Sequence, residues 1–275
     1  MLGRLIKHEF RATARIMLPV MGALAALALL ANLSMRGLAD NITDVPILRV
    51  FLVLIVVFYG IAIVAAAVMA VVLMVTRFYR NLLKDEGYLM FTLPVSVHEL
   101  IWAKLIVSLV WFTATGLLIC LLIALTGLNL SASNLEMILR ELPSRAEIRQ
   151  MLDGLGIRGL LNTMILQGVL GVLLGSVSTC LHFYAAMSLG HMFTKNKVLL
   201  SVVFYVLISF AFNFVNMGFG LVSFGPDTEI AIDEVKEGMQ FASGLIRHGL
   251  LLSAVQSAVL YLVTVLGLRR GLNLE

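Results

Sequence analysis

The chain is short of charge. Only 13% of its 275 residues are Asp, Glu, Lys or Arg, about half the share found in soluble proteins. Hydrophobic residues make up 60%, and the mean hydropathy is +1.01. A chain of this composition cannot cover its own core with polar surface. A water-soluble domain is therefore excluded, and most of the chain is predicted to lie in lipid.

Several chemical signatures are absent as well. Cys120 and Cys180 are the two cysteines, and both fall inside apolar runs without metal-ligand or disulfide spacing. We therefore interpret them as small buried apolar residues. No Gly-x-x-x-x-Gly-Lys-Ser/Thr phosphate loop occurs, so ATP hydrolysis would need another chain. His98 and Glu99 begin a zinc-protease pattern, but Trp102 occupies the position of its second His. We expect no catalytic residue, cofactor or metal site in this chain.

Long apolar runs dominate the rest of the sequence. Runs of about 20 apolar residues cross a bilayer as helices, because every backbone amide then has an internal partner. The predicted fold is an all-α integral membrane protein, with residues 1–275 forming a single transmembrane domain. We place its six spans at about 17–33, 47–76, 101–128, 159–188, 198–222 and 248–268. The second run is too long to cross upright, so it must tilt or project.

The first sixteen residues have an amphipathic pattern. Basic residues recur every three or four positions, and apolar residues occupy the opposite side of the helix that this spacing predicts. We predict a helix along the membrane interface over residues 1–16. A cleaved signal peptide is the alternative interpretation. Against it, Glu9 lies within the basic segment, and the apolar run that follows is longer than that of a normal signal peptide.

Charge distribution predicts the orientation of the spans. Six spans place both termini on one side, and that side carries twelve of the 20 Lys and Arg residues but five of the 16 Asp and Glu residues. Positively charged connections stay in the cytoplasm. Both termini and the connection 77–100 are therefore predicted to be cytoplasmic. Among the external connections, the one after the third span is predicted to form short interfacial helices.

A polar segment separates the second and third apolar runs. Residues 80–106 read RNLLKDEGYLMFTLPVSVHELIWAKLI. Pro94 stops any helix that precedes it, and Ser96 and Glu99 have the spacing of a capping box at the start of the next helix. Tyr88 and Phe91 share one side of the short helix predicted between the turn and the proline. An ordinary capped loop is the alternative, but exposed aromatic residues at a cytoplasmic tip favour contact with a partner.

This segment resembles the first cytoplasmic loop of the permease subunits of bacterial type-2 ATP-binding-cassette (ABC-2) exporters. Members carry an acidic-Gly-Tyr stretch, then Thr-Leu-Pro, then the start of the third span. The resemblance extends over the whole chain in layout, because these permeases have six spans, cytoplasmic termini and an N-terminal amphipathic helix. In residues it is specific over about 77–106. Members often have re-entrant helices after the fifth span, and residues 218–239 here are more polar than that pattern.

The resemblance implies a transport function in the bacterial inner membrane. A coupling helix in the loop would dock on a separate cytoplasmic ATPase, which supplies ATP and Mg, and a second permease copy, identical or related, would complete the path for an amphiphilic substrate. No nucleic acid partner is implied. The ATPase contacts that it implies are Asp85, Glu86, Gly87, Tyr88, Phe91, Thr92, Leu93 and Pro94, with Lys7, Glu9 and Arg11 of the N-terminal helix as a second contact.

Uncharged polar residues and glycines occur in the later spans. Polar residues there more often form helix–helix hydrogen bonds than substrate contacts, and glycines three and four apart allow close helix approach within the chain or against a second permease. Candidate pathway or packing residues are Gln167, Gly171, Gly175, Asn213, Asn216 and Gln256. The alternatives are an ATP-independent carrier and a non-transporting scaffold or sensor. Span centres without acidic residues argue against an ion-coupled carrier.

Overall fold

The computed structural model describes residues 2–39, 45–83, 96–127, 143–193, 195–223 and 235–270. Within these ranges the chain is almost entirely helical, and six helices are long and apolar enough to cross a membrane. The prediction of an all-helical, multi-pass membrane protein is confirmed to this extent. The helices are α1 Leu2–Ala39, α2 Pro46–Phe78, α3 Val97–Gly127, α4 Arg145–Gly154, α5 Arg158–Gly190, α6 Lys197–Ser223 and α7 Val235–Arg270, and a π-helical turn, Tyr79–Leu83, extends α2.

Two helices differ from the sequence prediction in their bounds. Residues 2–39 form one continuous helix with Pro19 in its interior, so the predicted interfacial helix and the first span are a single element. The position of residues 2–16 along the membrane interface stays a prediction. Helix α7 begins at Val235, well before the predicted start at 248. Of the segment 218–239 that was compared with re-entrant helices, residues 224–234 lie outside the described ranges.

Helix α3 begins at the residues that the sequence indicates. The backbone N–H of Ser96 donates to Oε2 of Glu99 at 3.1 Å, and the backbone N–H of Glu99 lies 3.3 Å from Oγ of Ser96. These two contacts satisfy backbone donors that a helix start leaves without partners. The predicted capping box is therefore confirmed.

Helix α4 lies in the predicted external connection between the third and fourth spans. It is capped in the same way, since the backbone N–H of Ser144 donates to Oε2 of Glu147 at 2.7 Å and the Glu147 N–H donates to Oγ of Ser144 at 3.2 Å. A short helix in this connection is therefore confirmed within the described residues. Its location at the membrane interface stays a prediction.

The chain divides into two compact units. The N-terminal unit comprises Leu2–Met74 and Ile106–Leu142. One of its cores joins Leu24, Ala28 and Ala31 of α1 to Tyr59 of α2 and Leu122 of α3. The α1 positions are four and three residues apart, so they lie on one side of the helix.

A second core of the N-terminal unit is organised around Trp111. Its ring stacks on Phe10 with the ring centroids 5.1 Å apart. Its indole N–H donates to Oγ1 of Thr13 at 2.8 Å, and that hydroxyl donates in turn to the Glu9 carbonyl at 2.9 Å. The first turns of α1 are therefore fixed against α3 inside this unit.

The C-terminal unit comprises Val75–Leu105 and Pro143–Glu275. Helix α5 packs against both α6 and α7. Near the end of α5, Gly190 lies against the backbone of Ser201 in α6, and Gly267 of α7 lies against Ser188. These glycines bring the helices together because a methyl group at either position would overlap its neighbour.

Large apolar side chains cover much of the described surface. Phe210 and Phe214 of α6 are each 70% exposed, and α1, α2, α5 and α7 carry similar residues. This pattern matches helices whose outer faces contact lipid, because lipid removes the cost of exposing apolar groups to water. Cys180 is buried as expected, whereas Cys120 is exposed. The expectation of burial was wrong for Cys120, because an apolar run in a lipid-facing helix does not imply burial within the protein.

Candidate functional site

The predicted ATPase-contact segment lies outside the described residues, but both of its ends are described. Before it, the π-helical turn Tyr79–Leu83 buries Asn81, Leu82 and Leu83. After it, Ser96 caps α3. Single π-helical turns often occur at functional sites. The predicted contacts in the segment are outside the described ranges: Asp85, Glu86, Gly87, Tyr88, Phe91, Thr92, Leu93 and Pro94.

The N-terminal contact residues are divided by burial. Lys7 and Arg11 are exposed beside a shallow depression that Ile6 and Phe10 also line. Glu9 is only 7% exposed. The two cations can therefore meet a partner at the surface of α1, whereas the Glu9 carboxylate is turned into the protein in this structure.

A cluster that the sequence did not reveal fixes the start of α3. Nδ1 of His98 lies 2.6 Å from Oη of Tyr261, and Nη2 of Arg269 lies 3.0 Å from Nε2 of His98. A guanidinium group can only donate, so Nε2 accepts and the neutral imidazole carries its proton on Nδ1, which donates to Tyr261. Trp102 adds a ring contact to Tyr261 at 6.0 Å. The first turns of α3 are thereby attached to the end of α7.

The end of α2 is attached to α5. Phe78 stacks on the fully buried Tyr184 with the ring centroids 3.9 Å apart. The next residue, Tyr79, meets the edge of His191 at 5.3 Å. Lys104 of α3 also lies here, with its ammonium 3.5 Å from the Arg77 carbonyl at the end of α2, where a helix carries partial negative charge.

His191 follows the last residue of α5, and its protonation is disfavoured. Burial lowers the pKa of the imidazole, and the nearby Lys197 ammonium also lowers it, whereas the hydrogen bond to the Met187 carbonyl raises it. Nδ1 lies 3.0 Å from that carbonyl oxygen. The neutral form of the ring is therefore favoured, and its Nδ1–H donates to the Met187 carbonyl.

The predicted polar residues of the later spans lie at helix contacts or on the surface. Gln167 is buried and its Oε1 accepts from Ser243 of α7 at 3.2 Å. Nε2 of Gln256 in α7 donates to Oδ1 of the exposed Asn216 in α6 at 2.9 Å. Asn213, also exposed, donates to the carbonyl one turn earlier in α6. The geometry of the first two pairs is that of helix–helix hydrogen bonds.

The predicted glycines differ in what they face. Gly171 lies in ordinary contact with Leu250 of α7, where an added methyl would be 3.7 Å from Cδ2. Gly168 and Gly175 would have open space around an added methyl. Among the described glycines, those that lie closest to another helix are therefore Gly190 and Gly267, which the three-and-four spacing did not single out. Packing of Gly168 and Gly175 against a second permease stays a prediction.

The described residues contain no group of three or more His, Cys, Asp or Glu side chains placed to hold a metal. No known protein family, no curated protein and no solved structure matches the chain.

Proposed function

We propose that this chain is the membrane-spanning permease subunit of a bacterial ABC-2 exporter. In this proposal it moves an amphiphilic substrate out of the cell. A separate cytoplasmic ATPase binds ATP and Mg, and a second permease copy, identical or related, completes the transport path. Both termini and the segment 84–95 face the cytoplasm of the inner membrane. The chain itself performs no catalysis.

The observation that carries the proposal is the position of the segment 84–95. It connects two membrane-length helices, and it is bounded by a π-helical turn on one side and a capped helix start on the other. An acidic and aromatic sequence between such ends is suited to docking on a partner. Ion-coupled carriers usually have charged residues in the middle of their spans. The polar residues in the centres of the later spans are uncharged, which favours a transporter driven by a separate ATPase.

The contacts at the two ends of the segment 84–95 indicate which helices would move with it when the ATPase displaces it. Phe78 and Tyr79 attach its start to α5, and the cluster of His98, Tyr261 and Arg269 attaches its end to α7. Since stacked rings and paired hydrogen bonds resist sliding, movement of the segment would displace α5 and α7 together with α2 and α3. Coupling in this proposal therefore acts on the helices of the whole C-terminal unit.

Co-purification tests the proposal most directly. The tagged chain would be extracted from its native membrane in mild detergent and its partners identified. We expect a stoichiometric ABC ATPase whose ATP hydrolysis is stimulated by the permease. A chain that elutes without any such ATPase, from cells that express one beside it, would contradict the proposal and favour the scaffold or carrier alternatives.

A double variant tests the contact segment itself. Tyr88→Ala with Phe91→Ala removes the two aromatic groups on one predicted helical side, so we expect the ATPase yield to fall by about tenfold or more, the scale of a lost interface hot spot. Met90→Ala is the matched control, because it truncates a side chain on another side of the same segment. Equal ATPase yields from the double variant and the control, at equal membrane insertion, would remove the segment from its proposed role.

A further inference from the structure

An apolar cavity of about 330 Å3 lies in the C-terminal unit, among the ends of α2 and α5 and the start of α6. Its accessible wall is apolar throughout. It opens on one side beside Val198 and Val202, which remain 59% and 58% exposed. Its lining residues are Val75, Thr76, Tyr79, Phe183, Ala186, Met187, His191, Val198, Ser201, Val202 and Tyr205.

The cavity has room for a hydrocarbon chain. An apolar cavity of about 150 Å3 stays dry and holds the six carbons of benzene. A volume of about 330 Å3 therefore accommodates roughly ten to twelve carbons. The polar groups of two wall residues are already turned to the backbone, because Ser201 donates to the Lys197 carbonyl and His191 pairs with the Met187 carbonyl. An apolar ligand thus leaves these groups satisfied.

The depth of the cavity corresponds to one leaflet. Helix α6 begins at Lys197, and its wall residues extend from Val198 to Tyr205. With a rise of about 1.5 Å per residue, this stretch covers about 12 Å from the helix start. Half of the hydrocarbon core of a bilayer is about 15 Å thick. With Lys197 at the headgroup level, as the predicted start of the fifth span at residue 198 implies, the cavity and its opening would lie at the level of the acyl chains of a single leaflet.

Positive charge lies at the headgroup end of the cavity. Lys197 directly precedes the wall residue Val198, and its ammonium group is close enough to His191 to lower the pKa of that imidazole. Lys195 is exposed in the same connection, and Arg80 is exposed directly after the wall residue Tyr79. An ammonium group at the end of an acyl-chain cavity is suited to an anionic headgroup, because lysine attracts phosphate as a compact point charge.

We propose that this cavity binds one acyl chain of an anionic phospholipid from the adjacent leaflet, with Lys197 pairing with its phosphate. The lipid would fill the space between α2, α5 and α6 and stabilise the end of α2. The inference rests on the cavity, its depth and its charge, and it does not depend on the proposed export function. The chain's own segment 84–95 is the competing occupant, and the experiment distinguishes the two.

Native mass spectrometry of the delipidated full-length protein, with added lysophosphatidylglycerol of increasing chain length, measures the binding. We expect one tightly retained lipid per chain. Its affinity should rise by up to about fourfold per added methylene and level off near twelve carbons, where the cavity is full. Affinity that is independent of chain length would overturn the proposal, since a headgroup alone or an occupied cavity gives that result.

Two neighbouring valines provide a matched pair of variants. Val202→Trp places a large ring in the cavity, whereas Val203→Trp places it on another side of the same helix, outside the lining. We expect Val202→Trp to weaken lipid retention by tenfold or more and Val203→Trp to change it by less than twofold. Equal retention by the two variants would overturn the assignment of the cavity.

Charge variants test the headgroup contact without altering the cavity. The measured quantity is the ratio of affinities for phosphatidylglycerol and the zwitterionic phosphatidylcholine with the same chains. We expect Lys197→Gln to lower this ratio by at least fivefold, and Lys197→Arg to retain it. Lys195→Gln, two residues away and exposed, is expected to lower it less. An unchanged ratio in Lys197→Gln would overturn the pairing.

Discussion

Gly190→Ala tests how α5 and α6 are held together. A Cβ atom at this position would lie against Oγ of Ser201, 2.5 Å from its backbone N and 2.7 Å from its Cα. Ordinary carbon contacts are longer than about 3.5 Å. Because two of the three atoms belong to the backbone, a change of side-chain rotamer cannot relieve the overlap. The start of α6 would have to move away from the end of α5.

The magnitude follows from two opposing terms. Overpacking a close contact costs about 1–3 kcal/mol, whereas Ala in place of Gly stabilises a helix by up to about 1 kcal/mol. Since the overlap is with backbone, we expect the upper part of the first range and a net loss of about 2 kcal/mol. Gly175→Ala is the matched control in α5, because nothing lies within 4 Å of its added methyl. It should leave stability unchanged or raise it by up to about 1 kcal/mol.

The assay is the midpoint of thermal unfolding of the purified protein in one mild detergent, with each variant scanned at the same rate. Adding Ser201→Gly to Gly190→Ala should restore little stability, because the backbone overlap persists. The opposite is expected at Gly267→Ala, where the nearest atoms are Oγ and Cβ of Ser188 at 2.8 and 2.9 Å. Ser188→Gly should restore most of that loss. A Gly190→Ala protein as stable as the Gly175→Ala control would refute the reasoning.

Two further variants test the ends of α3 and α5. Tyr261→Phe keeps the ring but removes the hydrogen bond from His98. We expect a loss of about 0.5–1.5 kcal/mol in unfolding free energy. An unchanged thermal midpoint would show that the cluster does not hold the start of α3. The pKa of His191 is lowered in the folded protein. Above pH 6.5, about the ordinary pKa of histidine, the ring is neutral in both states and the fold keeps its full stability. As the pH falls towards the lower pKa of the folded state, the unfolded chain binds the proton first and stability is lost. The thermal midpoint should therefore drop on acidification below about 6.5, and less so in His191→Gln. Equal pH profiles for His191→Gln and the wild type would contradict the assignment.

Local patterns were sufficient to predict the helices. Long apolar runs specify spans because each satisfies its own backbone hydrogen bonds in lipid, and four of the five later spans start within a few residues of their predicted positions. The capping box at Ser96 was equally predictable, since both partners lie within one helical turn. The continuity of residues 2–39 was not, because an amphipathic pattern and an apolar run can form one helix as readily as two.

Contacts between distant parts of the chain could not be predicted from the sequence. His98 and Arg269 are 171 positions apart, and no local spacing relates them. Glycine spacing favoured Gly168, Gly171 and Gly175. A glycine marks a close approach only where another helix packs against it, and among the described glycines the tightest contacts are at Gly190 and Gly267. Gln167 and Gln256 were correctly noticed as polar residues in spans, although the sequence could not assign their partners.

The sequence by itself determined that this protein is a helical, multi-pass membrane protein, because composition and run length decide whether a segment is stable in lipid. The same local information specified the polar segment between the second and third spans and the cap that follows it. Only the tertiary structure decided that the cluster at His98 joins α3 to α7, that Gly190 sets the approach of α5 and α6, and that an apolar cavity lies beside Lys197. These features depend on which helix faces meet, and in an almost uniformly apolar chain many faces are equally hydrophobic. Shape and a few hydrogen bonds, rather than hydrophobic pattern, therefore select the arrangement.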